Sequence, residues 1–551
     1  MNNGKIIKTQ ITEVSEWIYS LNYRSVPAPV IELAKLQILD VIAAVCAGSL
    51  SNTGKKIRTA LEATRSEGLC TNFFTSDKRS LFETVYLHAA YTNALELDNL
   101  VFMGHVGQSA VNVPLSLAEM FNIDSKKMIV ALIAAVEVSG RMGGYFALGP
   151  QQGHMRSYLH RVAGAVATAK LLELNPNQIA KSISIALSMP EFPLYPASFS
   201  PETKVLCTSS PSVEGIRAGF LAAENFDPAL DILEHPAGFS TYFTYLEHPP
   251  EIWKHIGETW SLFALCSKMF AACAYAQGPV TAALEIVNEN EIEHNNIESV
   301  KIFAPITTVA MESFSVPHLG ASLTPVNTKF STCRSVAAAL INKSLIGAFY
   351  SGDKFENLST NILKLSDKIV LNTDWQMSID LIKGIDSALS NPGEPGIFGM
   401  VHTQKTFSHF KKMVGSQSLI SLKDIPLIFR IPTADRNYLL KRYWRGYKHK
   451  LSFMKSGDGD KFTCYEKDLS KFSFHQSGKV EVKLKNGQVF ESVCKTPPGF
   501  AGDTDRENNI RKKFTRELSQ VYSPERIQKI IKLVYDLPNT GIRDLASCLN
   551  K

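Results

Sequence analysis

The first 225 residues repeat one pattern: small apolar side chains at helical spacing, in runs too long and too uniform to sit at a surface. Residues 31–46 (IELAKLQILDVIAAVC) form one such run and are expected to stop at Gly48. Residues 109–121 and 126–138 form two more, parted by Asn122-Ile123-Asp124, with Asp124 or Ser125 as the N-cap of the second. Residues 163–174, 179–188 and 212–225 continue the series. Helices such as AGAVATAKLL and VALIAAVEVSG pack closely and face protein on more than one side. A chain built this way is constrained to a large all-helical domain.

The character changes after about residue 277. Residues 280–287 read as a helix, and 297–304 (IESVKIFA) alternate as a strand should. Residues 324–341 are expected to be helical, and 366–371 are short and apolar. KVEVKLK, Asn486-Gly487 and QVFESVC give the clearest hairpin, with Asn-Gly predicting a two-residue turn. The middle is therefore an α+β module, and residues 506–537 return to helix. The fold class is mostly α.

Charge narrows the function. Lys plus Arg exceed Asp plus Glu by 6 in 551 residues, too small an excess to indicate a nucleic-acid or membrane-surface role. One segment departs from this balance. Residues 402–455 hold 12 Lys and Arg against Asp424 and Asp435, and include KRYWRGYKHK. An anionic-polymer patch is the sharp reading. A solvated insertion is the expected one, because no nucleic-acid-binding signature accompanies it. Nine cysteines without a C-x-x-C pair argue against a disulfide framework or zinc knuckle. The N-terminus has no apolar leader, and the apolar run at 128–136 is too short to span a bilayer. The expectation is a soluble, cytoplasmic protein. P-loop, dinucleotide-binding, H-E-x-x-H, G-x-S-x-G and kinase signatures are absent.

Chemistry must then come from polar residues set among apolar ones. Four stretches qualify. Glu96 and Asp98 alternate with Leu95 and Leu97, ahead of Gly104-His105 at a loop that opens the next helix. His154 and His160 lie in a loop running into an Ala-rich helix. Lys204 sits in a loop before another helix, and Lys268 stands between Cys266 and Met269. Each has a dull explanation: a core histidine, a solvated lysine, Asp98 as a cap or a partner for Arg141. Taken together, loop-to-helix junctions offer N–H groups to anions. Two lysines suit a multiply charged carboxylate, and a histidine with an acid suits proton transfer beside it. Cys207 lies three residues from Lys204, whose charge could lower its pKa, though a small residue filling a turn is the expected role.

At these residues the chain resembles the MmgE/PrpD family, which includes 2-methylcitrate dehydratase, cis-aconitate decarboxylase and an iminodisuccinate epimerase. The similarity is carried by LAKLQILDVIAAVCAGS, NALELDNLVFMGHVGQSAVNVPLSLAE, VEVSGRMG, VAGAVATAKLLEL, SKMFAACAYAQGPVTAALEI, the RKKF stretch and LPNTGIRDLASCL. GFLAAENFDPALDILEHPAGF is its most specific part. The resemblance implies a helical domain of residues 1–280 to which 500–551 return. It also implies a smaller α+β lid at 281–499 that includes the basic insertion, a homodimer, and catalysis without metal or organic cofactor. The family's catalytic lysine falls on Lys204 and its second functional lysine on Lys268. The acidic position falls on Glu96 or Asp98, and the histidines on His105 and on His154 or His160. Asn99, Val106, Val205, Cys207 and Gln277 depart from the family pattern.

The implied activity is a lyase on a small di- or tricarboxylic acid, first of all dehydration of a citrate-like 2-hydroxy acid. Lys204, His105, His154 and Asp98 would be catalytic; Lys268, Glu96, His160 and Cys207 would bind substrate. Decarboxylation of cis-aconitate, epimerisation, or a non-catalytic interaction protein on the same scaffold are the alternatives.

Overall fold

The structure is a computed structural model. It describes residues 8–102, 104–146, 157–191, 193–194, 196–197, 202–244, 252–316, 320, 322–389, 425–441 and 469–551. His154 and most of the basic segment lie outside these residues.

The helices fall where small apolar residues recur. Ala28–Leu50 is buried along almost its whole length, in keeping with its lack of a polar face. It does not stop at Gly48. A Cβ there would lie 1.9 Å from the carbonyl oxygen of Tyr91, so Gly48 is the crossing point with the helix Leu81–Ala94. The same device joins Ser157–Leu171 to Leu206–Ala223: a Cβ on Gly215 would meet the carbonyl of Arg161 at 2.3 Å. Expected residues 109–121 divide at Val111 into Gly107–Ala110 and Asn112–Phe121. Ser125–Tyr145 is capped by Asp124, which accepts from the amides of Lys126 and Lys127.

A second apolar core lies around a four-stranded sheet. The sheet order is Ile369–Thr373, Ile297–Ala304, Gly478–Leu484, Val489–Cys494, with the first pair parallel and the others antiparallel. Gln277–Glu289 packs on it through Val280, Ala283 and Ile286. Residues 324–341 resolve into Pro325–Lys329 and Thr332–Asn342, with Ser331 capping the second. The hairpin forms without the two-residue turn. Gly487 alone takes a left-handed φ of +89°, and the Leu484 amide donates to the Gln488 carbonyl. That makes a three-residue loop with glycine at the bulge, the next most common hairpin solution.

The tail returns to the first core. Arg506–Leu518 lies along Ala28–Leu50, and Pro524–Tyr535 buries Ile527, Ile530, Ile531 and Val534. The two-stranded ribbon of Asn99–Val101 with Leu265–Ser267 brings the segment after residue 260 back onto the N-terminal helices. Among the described residues, no helix is long and apolar enough to cross a membrane.

Candidate functional site

The site grows from the end of one helix. Leu81–Ala94 finishes at Leu95, and Glu96 then adopts a left-handed φ of +57°. A non-glycine residue held there costs on the order of 1 kcal/mol or more and is fixed by its surroundings. Two lysines do the fixing. Lys329 Nζ donates to the carbonyl of Ala94 at 2.5 Å, and Lys513 Nζ donates to that of Leu97. The turn that carries Glu96 and Asp98 is thus held at both ends.

Strand pairing supplies the next residue. Asn99 lies opposite Ser267 in an antiparallel ribbon, so one step further along sets Asp98 against Lys268. Lys268 Nζ donates to Asp98 Oδ1 at 2.7 Å and to Glu96 Oε2 at 3.0 Å. The other Glu96 oxygen accepts from Lys204, which enters from the short turn Glu202–Val205. Lys204 Nζ also lies 4.1 Å from the Phe330 ring centroid. The two lysines, distant in the chain, meet on the two oxygens of one carboxylate. All four side chains are buried.

His105 completes the group. The chain reverses after Val101, whose amide and carbonyl both pair with Gly104, and this returns His105 Nδ1 to Asp98 Oδ2. Gln108 Nε2 donates to the same oxygen at 3.0 Å. Ser109, the next residue, contacts His160 Nδ1 at 2.9 Å, so Gly107–Ala110 links the acidic turn to the second histidine. His160 is fully buried, and its Nε2 has no partner among the described residues.

Electrostatics follow from the packing. Burial opposes ionised Glu96 and Asp98, but Lys204 and Lys268 outweigh it for Glu96, and Lys268 and His105 for Asp98. Both carboxyls are held below the usual range. Burial also opposes the Lys268 ammonium, which Asp98 and Glu96 restore and raise above its usual value. Desolvation lowers His105, with Asp98 pulling the other way. Since ionised Asp98 can only accept, a neutral His105 carries its proton on Nδ1 and leaves a lone pair on Nε2. Desolvation pushes His160 down to about 3. For Cys207, burial dominates and raises the thiol despite Lys204, which disfavours the sharper reading of a lowered pKa.

The other expectations also find their places. Asp98 caps no helix. Arg141 directs its guanidinium to the carbonyls of Ile252, Lys254 and Thr259, with Glu137 beside it. Asn99 belongs to a neighbouring network: it accepts from Gln37 and donates to Asp40, which pairs with Lys513 at 2.7 Å. Gln277 pins the loop after Lys268 through the Met269 and Phe270 amides and the Phe270 and Ala272 carbonyls. Gln108, Ser109, Lys329 and Lys513 were not singled out from the sequence. The first two stood in a segment already marked, Lys513 in the RKKF stretch that carries part of the resemblance; Lys329 had no local signal. Among the described residues, no group of three or more His, Cys, Asp or Glu could hold a metal ion.

Residues 12–250, which contribute Glu96, Asp98, His105, His160 and Lys204, match the MmgE/PrpD N-terminal domain. Through these residues, somewhat under half of the chain, the protein is similar to the MmgE/PrpD family. A cis-aconitate decarboxylase of Aspergillus terreus is 25% identical over 288 residues, 49% of this chain and 59% of that protein. The cis-aconitate decarboxylase-like protein oryM of Aspergillus oryzae is 23% identical over 319 residues, 54% of this chain and 66% of that protein. The matched stretch thus spans less than two thirds of each relative's length.

Proposed function

We propose that the protein is a lyase acting on a small citrate-like di- or tricarboxylic acid. The observation that carries this reading is Glu96 shared between Lys204 and Lys268, with the Asp98–His105 pair on the same turn. An ammonium has three donors. Lys204 directs one at Glu96 and Lys268 directs two at Glu96 and Asp98, so both retain donors for an incoming carboxylate. His105 Nε2 takes the proton from the carbon next to that carboxylate. The charge that develops on the carboxylate is stabilised by Lys204 and Lys268, and oriented charge in a dry site is usually the largest catalytic contribution. Asp98 holds the ring and stabilises the imidazolium that forms.

Elimination of water from a 2-hydroxy acid and loss of carbon dioxide share a carbanion-like centre beside a carboxylate. The names of the relatives favour decarboxylation as the second form of the reading. In either form, residues 1–280 with 500–551 act as one domain and 281–499 as a smaller one over the site, in a cytoplasmic homodimer that uses no cofactor.

The test is incubation with citrate, 2-methylcitrate, cis-aconitate and malate in deuterium oxide, followed by proton NMR. Deuterium entering at an α-carbon, or a new alkene with or without carbon dioxide, is expected. No exchange, no product and no thermal stabilisation by any of these acids at millimolar concentration would overturn the reading in favour of a non-catalytic protein.

A further inference from the structure

Five described lysines are buried: Lys35, Lys204, Lys268, Lys329 and Lys513. Four have a carboxylate within ion-pair distance: Glu32, Glu96, Glu96 with Asp98, and Asp40 respectively. Lys329 has none. Its Nζ meets the Ala94 carbonyl and lies 5.7 Å from the Tyr350 ring centroid. A charged amine taken out of water without a counter-ion is strongly disfavoured, so the site holds it as a neutral amine or waits for an anion.

Its position says which. Ala94 is two residues from Glu96, and Phe330, the next residue after Lys329, is the ring beneath Lys204. The backbone carbonyl of Lys329 accepts from Cys273, which closes the loop that begins at Lys268. The charged groups acting on its amine are Glu96, Lys204, Glu202 and Lys268. Glu96 and Asp98 already balance Lys204 and Lys268, so the described cluster without Lys329 is close to neutral. That is a poor match for a ligand with two or three negative charges.

We infer that Lys329 is a third cation of the acid-binding site, taking a proton from solvent as an anionic ligand arrives. The inference rests on the proposed acid-binding function and deepens it: the ligand class is a polyanion whose binding is linked to proton uptake. No ligand bond breaks. One proton moves from buffer to the amine, and the new ammonium meets the added negative charge. Desolvation lowers Lys329 to about 7 in the free protein, so at pH 8 the amine is mostly unprotonated and able to respond.

Isothermal titration of the full chain with tricarballylate, an unreactive tricarboxylate, at pH 8 in buffers of different ionisation enthalpy measures the uptake. The wild type should take up close to one proton per ligand at pH 8, and its affinity should fall by roughly fifty-fold between pH 7 and pH 9. Lys329→Arg, permanently charged, should bind without the uptake and with a flatter pH dependence; His105 and His160 are unchanged in it, so any uptake it retains is theirs. Lys329→Met should bind at least ten-fold more weakly. Wild-type binding without proton uptake, or equal uptake by Lys329→Arg, overturns this inference and leaves the proposed function standing. No wild-type binding of tricarballylate or of any acid in the panel overturns both.

Discussion

Two buried ionic clusters lie on either side of one short turn and use the same residue types to opposite ends. On one side, Asp40 pairs with Lys513, accepts from Asn99 and thereby connects to Gln37. Every member faces protein, and the cluster ties the tail helix Arg506–Leu518 to Ala28–Leu50. On the other side, Glu96 and Asp98 hold Lys204, Lys268 and His105, whose side chain is 12% exposed. Titration separates the two. Burial wins at Asp40 and Lys513, each pushed toward its neutral form. Partners win at Glu96, Asp98 and Lys268, each pushed toward its charged form. A buried ion pair is weak evidence for either stability or function by itself. What distinguishes the second cluster is that its groups are held in their charged forms with lysine donors still free.

The largest effect expected is on turnover. Lys204→Ala should lower kcat by about two to four orders of magnitude, the range for loss of an oxyanion donor or proton-transfer group, with the circular dichroism spectrum unchanged. Wild-type turnover in that variant would move the site away from Glu96. His105→Asn should lower kcat by about a hundred-fold or more and remove the acid limb of the rate profile, because the base works only when unprotonated. A retained limb would assign the proton transfer to another group.

Asp40→Ala tests the other cluster. It leaves Lys513 buried without its counter-ion and should destabilise the fold by about 3–5 kcal/mol in denaturant titration. Turnover of the remaining folded protein should stay within about ten-fold, because Lys513 still reaches the Leu97 carbonyl. A stable but inactive Asp40→Ala protein would merge the two clusters into one.

Acid sharpens the contrast. Asp98 and Glu96 have lowered folded values, so their contribution is present above about pH 4 and is lost as pH falls through those values. Asp40 has a raised folded value, so its contribution is present below about pH 4 and is lost as pH rises through it. Asp98→Asn should therefore flatten the acid limb of a plot of Tm against pH. Asp40→Asn should leave that limb in place and change the slope above pH 4. Identical profiles for the two variants would contradict the distinction. The smallest effect is at Cys207, where thiol labelling at neutral pH should run slower than for a free thiol.

What the sequence discloses, and what it hides, divides by range. Ala-rich periodicity was enough for the helices, because it is a local property of the chain. Gly48 misled because glycine as a stop and glycine as a crossing point look alike until the second helix is known. The hairpin turn misled because Gly487 alone can take the left-handed position. Asp98 and His105 are seven residues apart and visible as a unit. Lys329 and Lys513 reach carbonyls 235 and 416 residues away, and neither a lone lysine nor one in a basic run carries a mark of such a target. The convergence of Lys204 and Lys268 was suggested by the family resemblance; their meeting on one carboxylate depends on the strand register that places Lys268 and on the turn that carries Lys204, neither of which a single sequence displays.

The most direct test of the central claim is a crystal structure with cis-aconitate or tricarballylate bound. The account predicts a ligand carboxylate within about 3 Å of Lys204 Nζ or Lys268 Nζ, with His105 Nε2 facing the adjacent carbon. A ligand seated elsewhere, with Glu96 still joined to both lysines and no anion beside them, would contradict it.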